Sequence, residues 1–233
     1  MSQKGQVGNQ NKAKLKSNEY RRLYEIDGQH PWQEQMPEAC ISYSVRVLKT
    51  GQVTYFNFQL AKEMGLIQKD HPDEITSELQ KAALENFNIR IINEYDIEHK
   101  KQFDKNTIKP NKYMATRYLQ LQHQNKTGVT SGDGRGIWNG YIKNRGVTWD
   151  VSSRGTGVTA LSPGSALAGK NLETGNLDHG YGCGLAEVDE LYSSAIMSEI
   201  MHNRGFNTER TLLIIDHGNG YGIGVRAEKN LFR

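Results

Sequence analysis

The 233 residues carry 36% apolar side chains, 24 glycines and a mean hydropathy of −0.70, which suits one large domain or two small ones with much loop and a polar tail. A net charge of +3 is too small to imply nucleic acid as a partner by itself. No apolar run approaches the roughly 18 residues of a membrane span, and two cysteines without CxxC or metal spacing fit a reduced, cytoplasmic protein.

Residues 1–20 are almost devoid of apolar side chains and read as a disordered basic tail, with Lys4, Lys12, Lys14 and Lys16 ahead of Glu19. The run lacks the apolar core of a secretory signal. From Ala39 to Phe58 two alternating stretches flank Lys49-Thr50-Gly51-Gln52, the pattern of a β-hairpin. Leu60 to Leu66 reads as a short helix stopped by Gly65, and residues 73–88 have helical spacing with acids in the first turn. The polar stretch from Glu94 to Lys112 reads as a surface connection that ends an N-terminal mixed α/β segment, residues 21–112.

From Tyr113 the texture turns β-rich. Ile137–Ile142 and Val147–Val151 are predicted strands joined across Lys143–Gly146. Residues 162–184, rich in Gly, Ser and Asn, read as a loop without structure of its own. A helix is predicted from Ala186 to Asn203, with Val188, Leu191, Tyr192, Ala195, Ile196 and Ile200 as its apolar stripe and Gly205 as its stop. Glu199 falls inside that stripe, where a carboxylate needs a cationic partner or neutralisation. Thr211–Ile215 and Tyr221–Val225 flank Asp216–Gly220 as a second hairpin signal.

Chemistry concentrates in two glycine-rich clusters on either side of the first strand pair, Gly132-Asp133-Gly134-Arg135-Gly136 and Arg154-Gly155-Thr156-Gly157. Glycines let backbone N–H groups approach a ligand, and the arginines supply forked charge suited to phosphate. The pairs Asp178-His179 and Asp216-His217 lack the spacing of a zinc site.

Glycine-rich turn, strand pair with a basic residue, helix with a carboxylate, then hairpin is the order of a kinase-like N-lobe. The Gly132–Gly136 cluster, Trp149-Asp150, Arg154-Gly155-x-Gly157, Ser198-Glu199, Gly205-x-x-Thr208-x-Arg210 and the upstream His123-Gln124 pair resemble the SelO (selenoprotein O) pseudokinase family. The resemblance runs from about Tyr113 to the end of the chain. It implies an α+β fold, with a kinase-like antiparallel sheet and one main helix over residues 113–233. It also implies transfer of AMP from ATP to Ser, Thr or Tyr hydroxyls of protein substrates, with ATP in a flipped orientation and Mg or Mn present.

Carried onto this chain, Gly132, Gly134 and Arg135 match the nucleotide loop, and Arg226 and Arg233 match two phosphate-binding arginines. Arg154 stands where the family has the strand lysine that pairs with a helix glutamate. Counted without gaps, that glutamate falls on Ser194, and Glu190, one turn earlier, can replace it, which makes Arg154 and Glu190 the catalytic-type pair. Cys183 and Gly184 align loosely with a second glycine loop, where the family has Asp-Gly. The family's catalytic Asp and its metal-binding Asn and Asp belong to a C-lobe, so the chain is expected to be a fragment or a stand-alone lobe. Two other readings stay open: a phosphotransferase that delivers the γ-phosphate, and a non-catalytic nucleotide-binding or interaction module.

Overall fold

An antiparallel sheet of nine strands organises the computed structural model, which describes residues 19–109, 111–118 and 132–230. The first half supplies α1 (Trp32–Gln35), β1 (Cys40–Val47), β2 (Gln52–Phe56), α2 (Phe58–Met64), α3 (Ser77–Phe87), β3 (Ile89–Ile92) and α4 (Glu94–Glu98). The second half supplies β4 (Tyr113–Thr116), β5 (Gly136–Asn144), β6 (Val147–Arg154), α5 (Pro163–Ala168), β7 (Ala186–Glu187), α6 (Val188–Asn203), β8 (Arg210–Asp216) and β9 (Tyr221–Lys229). The class is α+β, with several helices rather than one, and the sheet takes strands from both sides of residue 112. Among the described residues no helix is long and apolar enough to cross a membrane.

Local chemistry sets most of the boundaries. Asn57 caps α2 by accepting from the Leu60 N–H at 3.0 Å, and Gly65 ends it at φ +70°. Thr76 caps α3 in the same way through Leu79. Arg145 and Gly146, both at positive φ, turn β5 into β6, the backbone a two-residue hairpin needs. Packing does the rest. Leu60, Met64, Leu79 and Phe87 are fully buried against Val53, Ile142, Val151, Leu213 and Val225, each large side chain contributing about 1.5–3 kcal/mol. Tyr20 is already part of this core, with its hydroxyl 2.9 Å from His71 Nε2. Residues 1–18 of the predicted tail lie outside the described residues.

The hairpin predicted across Lys49–Gln52 does not form. The strand order is β2-β8-β9-β6-β5-β4-β1-β3, with β7 added beside β9. Strand β1 therefore pairs with β3 and β4, while β2 pairs with β8. Asn88, just after α3, holds the intervening segment open. Its Nδ2 donates to the carbonyls of Leu48 and Thr50 at 3.2 and 2.6 Å, and its own carbonyl accepts from Leu48 N–H. Only residues 48–51 join the two strands, a span of at most about 18 Å. The sheet must therefore curl until its ends approach each other.

Two stretches predicted as plain connections carry structure. The 162–184 segment contains α5, started by Pro163, and a 3₁₀ turn over Leu177–Cys183 capped by Asn176. The polar stretch after Asn93 opens with α4, where Asn93 and Asp96 form a reciprocal capping box. In both cases cap signals were present inside a composition that reads as loop.

Helix α6 lies on the opposite face of the sheet from the main core, with Leu191 and Ala195 packed on Ala186 and Ile214. A side chain at Gly224 would occupy the space that Leu191 fills, and this seating fixes the rotation of the helix. The predicted stripe is thus only half buried, and Ile196 is 60% exposed, with Ile200 also exposed. The inward line instead runs Leu191, Ala195, Glu199. Arg210 on β8 explains why a carboxylate is tolerated there. It is 2% exposed and grips Glu199 through Nε and Nη2 at 2.7 and 2.8 Å, while its Nη1 lies 3.2 Å from both Glu63 oxygens. Asn57 Nδ2 donates to the same Glu199 carboxylate at 2.9 Å. The network ties α2, α6 and β8 together.

Candidate functional site

Beside α6 one face of the sheet stays open. Strand side chains alternate faces, and the cross-strand registers Arg154–Gly224, Ser152–Arg226 and Asp150–Glu228 place Arg154, Arg226, Ser152, Asp150 and Glu228 on it together. Gly136 and Trp138 of β5 join them opposite Arg154 and Ser152. At the Arg154 end a cavity of about 410 Å³ opens, lined by Gly132, Gly134, Arg135, Arg154 and Arg226 with His179 and Tyr181 at its rim. Five residues singled out from sequence thus share one cavity.

Asp133 holds the glycine turn in place. Its Oδ2 accepts from Thr116 N–H at 2.9 Å, from the Thr116 hydroxyl at 2.7 Å and from Trp138 Nε1 at 3.1 Å. A side chain at Gly132 would collide with the Thr116 carbonyl, so glycine is a packing requirement here as well as an approach route for a ligand. On the far side, Gly134 carbonyl accepts from Thr159 N–H.

Glu190, in the first turn of α6, bridges the two arginines. One carboxylate oxygen accepts from Arg135 Nη2 and from Arg154 Nη1, each at 2.6 Å. Arg135 is further held by the Leu185 carbonyl at 3.2 Å and by Tyr181, whose hydroxyl lies 2.7 Å from Nη2 and whose ring lies 4.0 Å beneath the guanidinium. Burial pushes the Glu190 carboxyl up, but the hydrogen bonds and charges of Arg135 and Arg154 outweigh it and hold it below the usual range. Two guanidiniums share the one Glu190 carboxylate, and the Asp133 carboxylate also lines the cavity. Arg226 adds a third guanidinium, ion-paired with Glu209 and with its Nε buried without a hydrogen-bond partner.

The remaining predicted residues sit differently. Cys183 is buried and does not line the cavity, although its neighbour Gly182 does. Gly184 stands at φ +79° and its carbonyl accepts from Gly157 N–H at 3.1 Å, a backbone role. Ser194, the gap-free position for the helix glutamate, forms no ion pair, and Glu199 belongs to Arg210. Arg233 and the His123-Gln124 pair lie outside the described residues. Sequence reasoning set His179 aside as lacking zinc spacing and missed Tyr181, since nothing in a Gly-rich loop marks which aromatic folds back over an arginine.

Acid should expose the carboxylate chemistry. Glu190 and Glu199 are both depressed below the ordinary 4.5, in Glu199 because the Arg210 hydrogen bonds and charge outweigh burial. The unfolded chain therefore binds more protons as pH falls. The stability these groups contribute is complete above the ordinary value and is lost as pH drops through the folded values. Urea midpoints measured from pH 7 downward are expected to fall below about pH 4.5, with a flatter acid slope in the Glu190→Gln, Glu199→Gln double variant. An unchanged slope would assign acid sensitivity to other groups.

The chain matches no protein-family model and no curated protein sequence.

Proposed function

We propose that the open face holds ATP, its triphosphate on Arg135, Arg154 and Arg226, as the kinase-like nucleotide-binding lobe of a SelO-like protein adenylyltransferase. The observation that carries this reading is the Arg135–Glu190–Arg154 bridge at the mouth of a cavity rimmed by Gly132 and Gly134. A cation on a central strand that pairs with a carboxylate on the following helix is the arrangement that kinase-like lobes use to place phosphates. Arginine in place of lysine keeps the charge and adds a fork that can bind two phosphate oxygens at once.

In this reading Glu190 and Tyr181 hold the guanidiniums in position before the ligand arrives, so little ordering is left for the moment of binding. The arginines neutralise the triphosphate and present the α-phosphorus to a Ser, Thr or Tyr hydroxyl of a protein substrate. The hydroxyl oxygen forms the new P–O bond, its proton leaves, and pyrophosphate departs. Mg or Mn would supply further charge neutralisation. Among the described residues no three His, Cys, Asp or Glu side chains converge to hold such an ion.

Calorimetric titration with Mg-ATP is expected to show saturable binding that weakens about tenfold or more in Arg135→Ala, since a charge-assisted hydrogen bond contributes about 1.5–3 kcal/mol. ATP labelled at the α-phosphate is expected to pass label to protein. Label arriving only from the γ-phosphate would replace adenylyl transfer by phosphotransfer. Binding without label from either position would leave a nucleotide-binding module, and no binding would make the triad a structural ion-pair cluster.

A further inference from the structure

Along the same open face, four residues down β6 from Arg154 and so about 13 Å away, lies a second cavity of about 460 Å³. We propose that it binds an organic cation, a methylated ammonium carried on a larger molecule. The inference stands apart from the nucleotide reading.

The walls are aromatic and fixed. Trp138 is held by its Nε1, which donates to Asp133 Oδ2 at 3.1 Å and Thr116 Oγ1 at 3.2 Å. Trp32, 43% exposed, forms the outer wall, and Met114, the cross-strand partner of Trp138, adds an apolar side. His30 stands between the two indoles, its ring centre 5.5 Å from Trp138 and 6.5 Å from Trp32 at interplanar angles of 59° and 79°. The rings are wedged at angles rather than stacked on one another.

The floor is negative. Asp150 is buried, and Glu228 faces it directly across the β6–β9 register. His30 is hydrogen-bonded at both ring nitrogens. Its Nδ1 accepts from Trp32 N–H at 3.2 Å, which turns Nε2 toward Asp150 Oδ1, 3.3 Å away. Burial and the neighbouring Glu209 and Asp150 carboxylates push Glu228 up, with Arg226 offsetting only part of this. Lys229 lies at the rim, but its ammonium is 5.1 Å over the Trp149 ring.

Aromatic surfaces around a carboxylate floor recognise a soft, weakly hydrated cation, through the ring quadrupoles and the opposite charge together. Two carboxylates repel a phosphate, and a neutral ring offers their charge no counterpart. The cavity exceeds the size of a bare ammonium ion, which argues for a cation borne on a longer molecule.

Choline is the probe, titrated into the full chain with tryptophan fluorescence as readout, against the neutral isostere 3,3-dimethyl-1-butanol. Saturable quenching by choline is expected, with the isostere about tenfold weaker. Asp150→Asn and Trp32→Ala are each expected to weaken choline by a similar factor, with an unchanged circular dichroism spectrum. Trp32 is largely exposed, so that variant tests the site even if the buried one fails to fold. Equal affinity for the isostere, indifference to both substitutions, or no saturation by choline overturns the proposal. A Trp138-dependent response to adenosine without one to choline would do so in favour of a nucleobase seat.

Discussion

Replacing Arg210 by methionine is expected to cost about 2–4 kcal/mol of folding stability. The guanidinium is almost fully buried and serves two carboxylates on two different helices, Glu63 of α2 and Glu199 of α6. Methionine fills much of the volume, so the loss measures charge rather than a cavity. Glu63 and Glu199 keep some access to water, which sets the figure below the upper range for an orphaned buried charge. Arg210→Lys retains the charge without the fork that meets both Glu199 oxygens and should fall between the two. Urea unfolding at pH 7 with unchanged m-values checks this. A loss under about 1 kcal/mol would mean that the carboxylates solvate themselves once Arg210 is gone.

Gly184→Ala is expected to destabilise the fold by about 3 kcal/mol or more. Its φ of +79° disfavours any side chain, and an added Cβ would collide with the Val158 nitrogen and the Gly157 carbonyl carbon. Those atoms are backbone and cannot swing aside. Gly205 is the control, because its φ is +85° but nothing lies within 4 Å of an added Cβ. Alanine there should cost only about 1 kcal/mol. If Gly184→Ala melts no earlier than Gly205→Ala, close backbone approach is not what holds residue 184 to glycine.

Local features were legible from sequence wherever the signal and its consequence lie within a few residues. The β5–β6 and β8–β9 hairpins, the Gly65 helix stop and the span of α6 are of this kind. The fate of β1 and β2 was not, because alternation says that a strand exists and not which strand it meets. Asn88 overrode the turn signal from 38 residues away, through its hydrogen bond to Thr50. The site divides in the same way. Glycines and arginines in short clusters pointed to Gly132, Gly134, Arg135 and Arg154, and the resemblance added Arg226 and, by helical spacing, Glu190. That Glu190 bridges both arginines depends on how α6 is rotated, and that rotation follows from the room Gly224 leaves for Leu191. The aromatic cavity was invisible because its parts come from residue 30 to residue 230 and share no spacing.

The pairing of β2 with β8 has a consequence for the order of events during synthesis. Strand β2 leaves the ribosome about 160 residues ahead of β8, its only strand partner among the described residues, roughly ten to thirty seconds at ordinary elongation rates. Through that interval its hydrogen-bonding edge lacks the β8 partner that it has in the folded chain, the condition in which strands pair with the wrong chain. The adjacent β1 meets β3 within some forty residues and is not exposed in the same way. Nascent chains halted before Arg210 should therefore be the species that chaperones hold, and release should follow once β8 emerges.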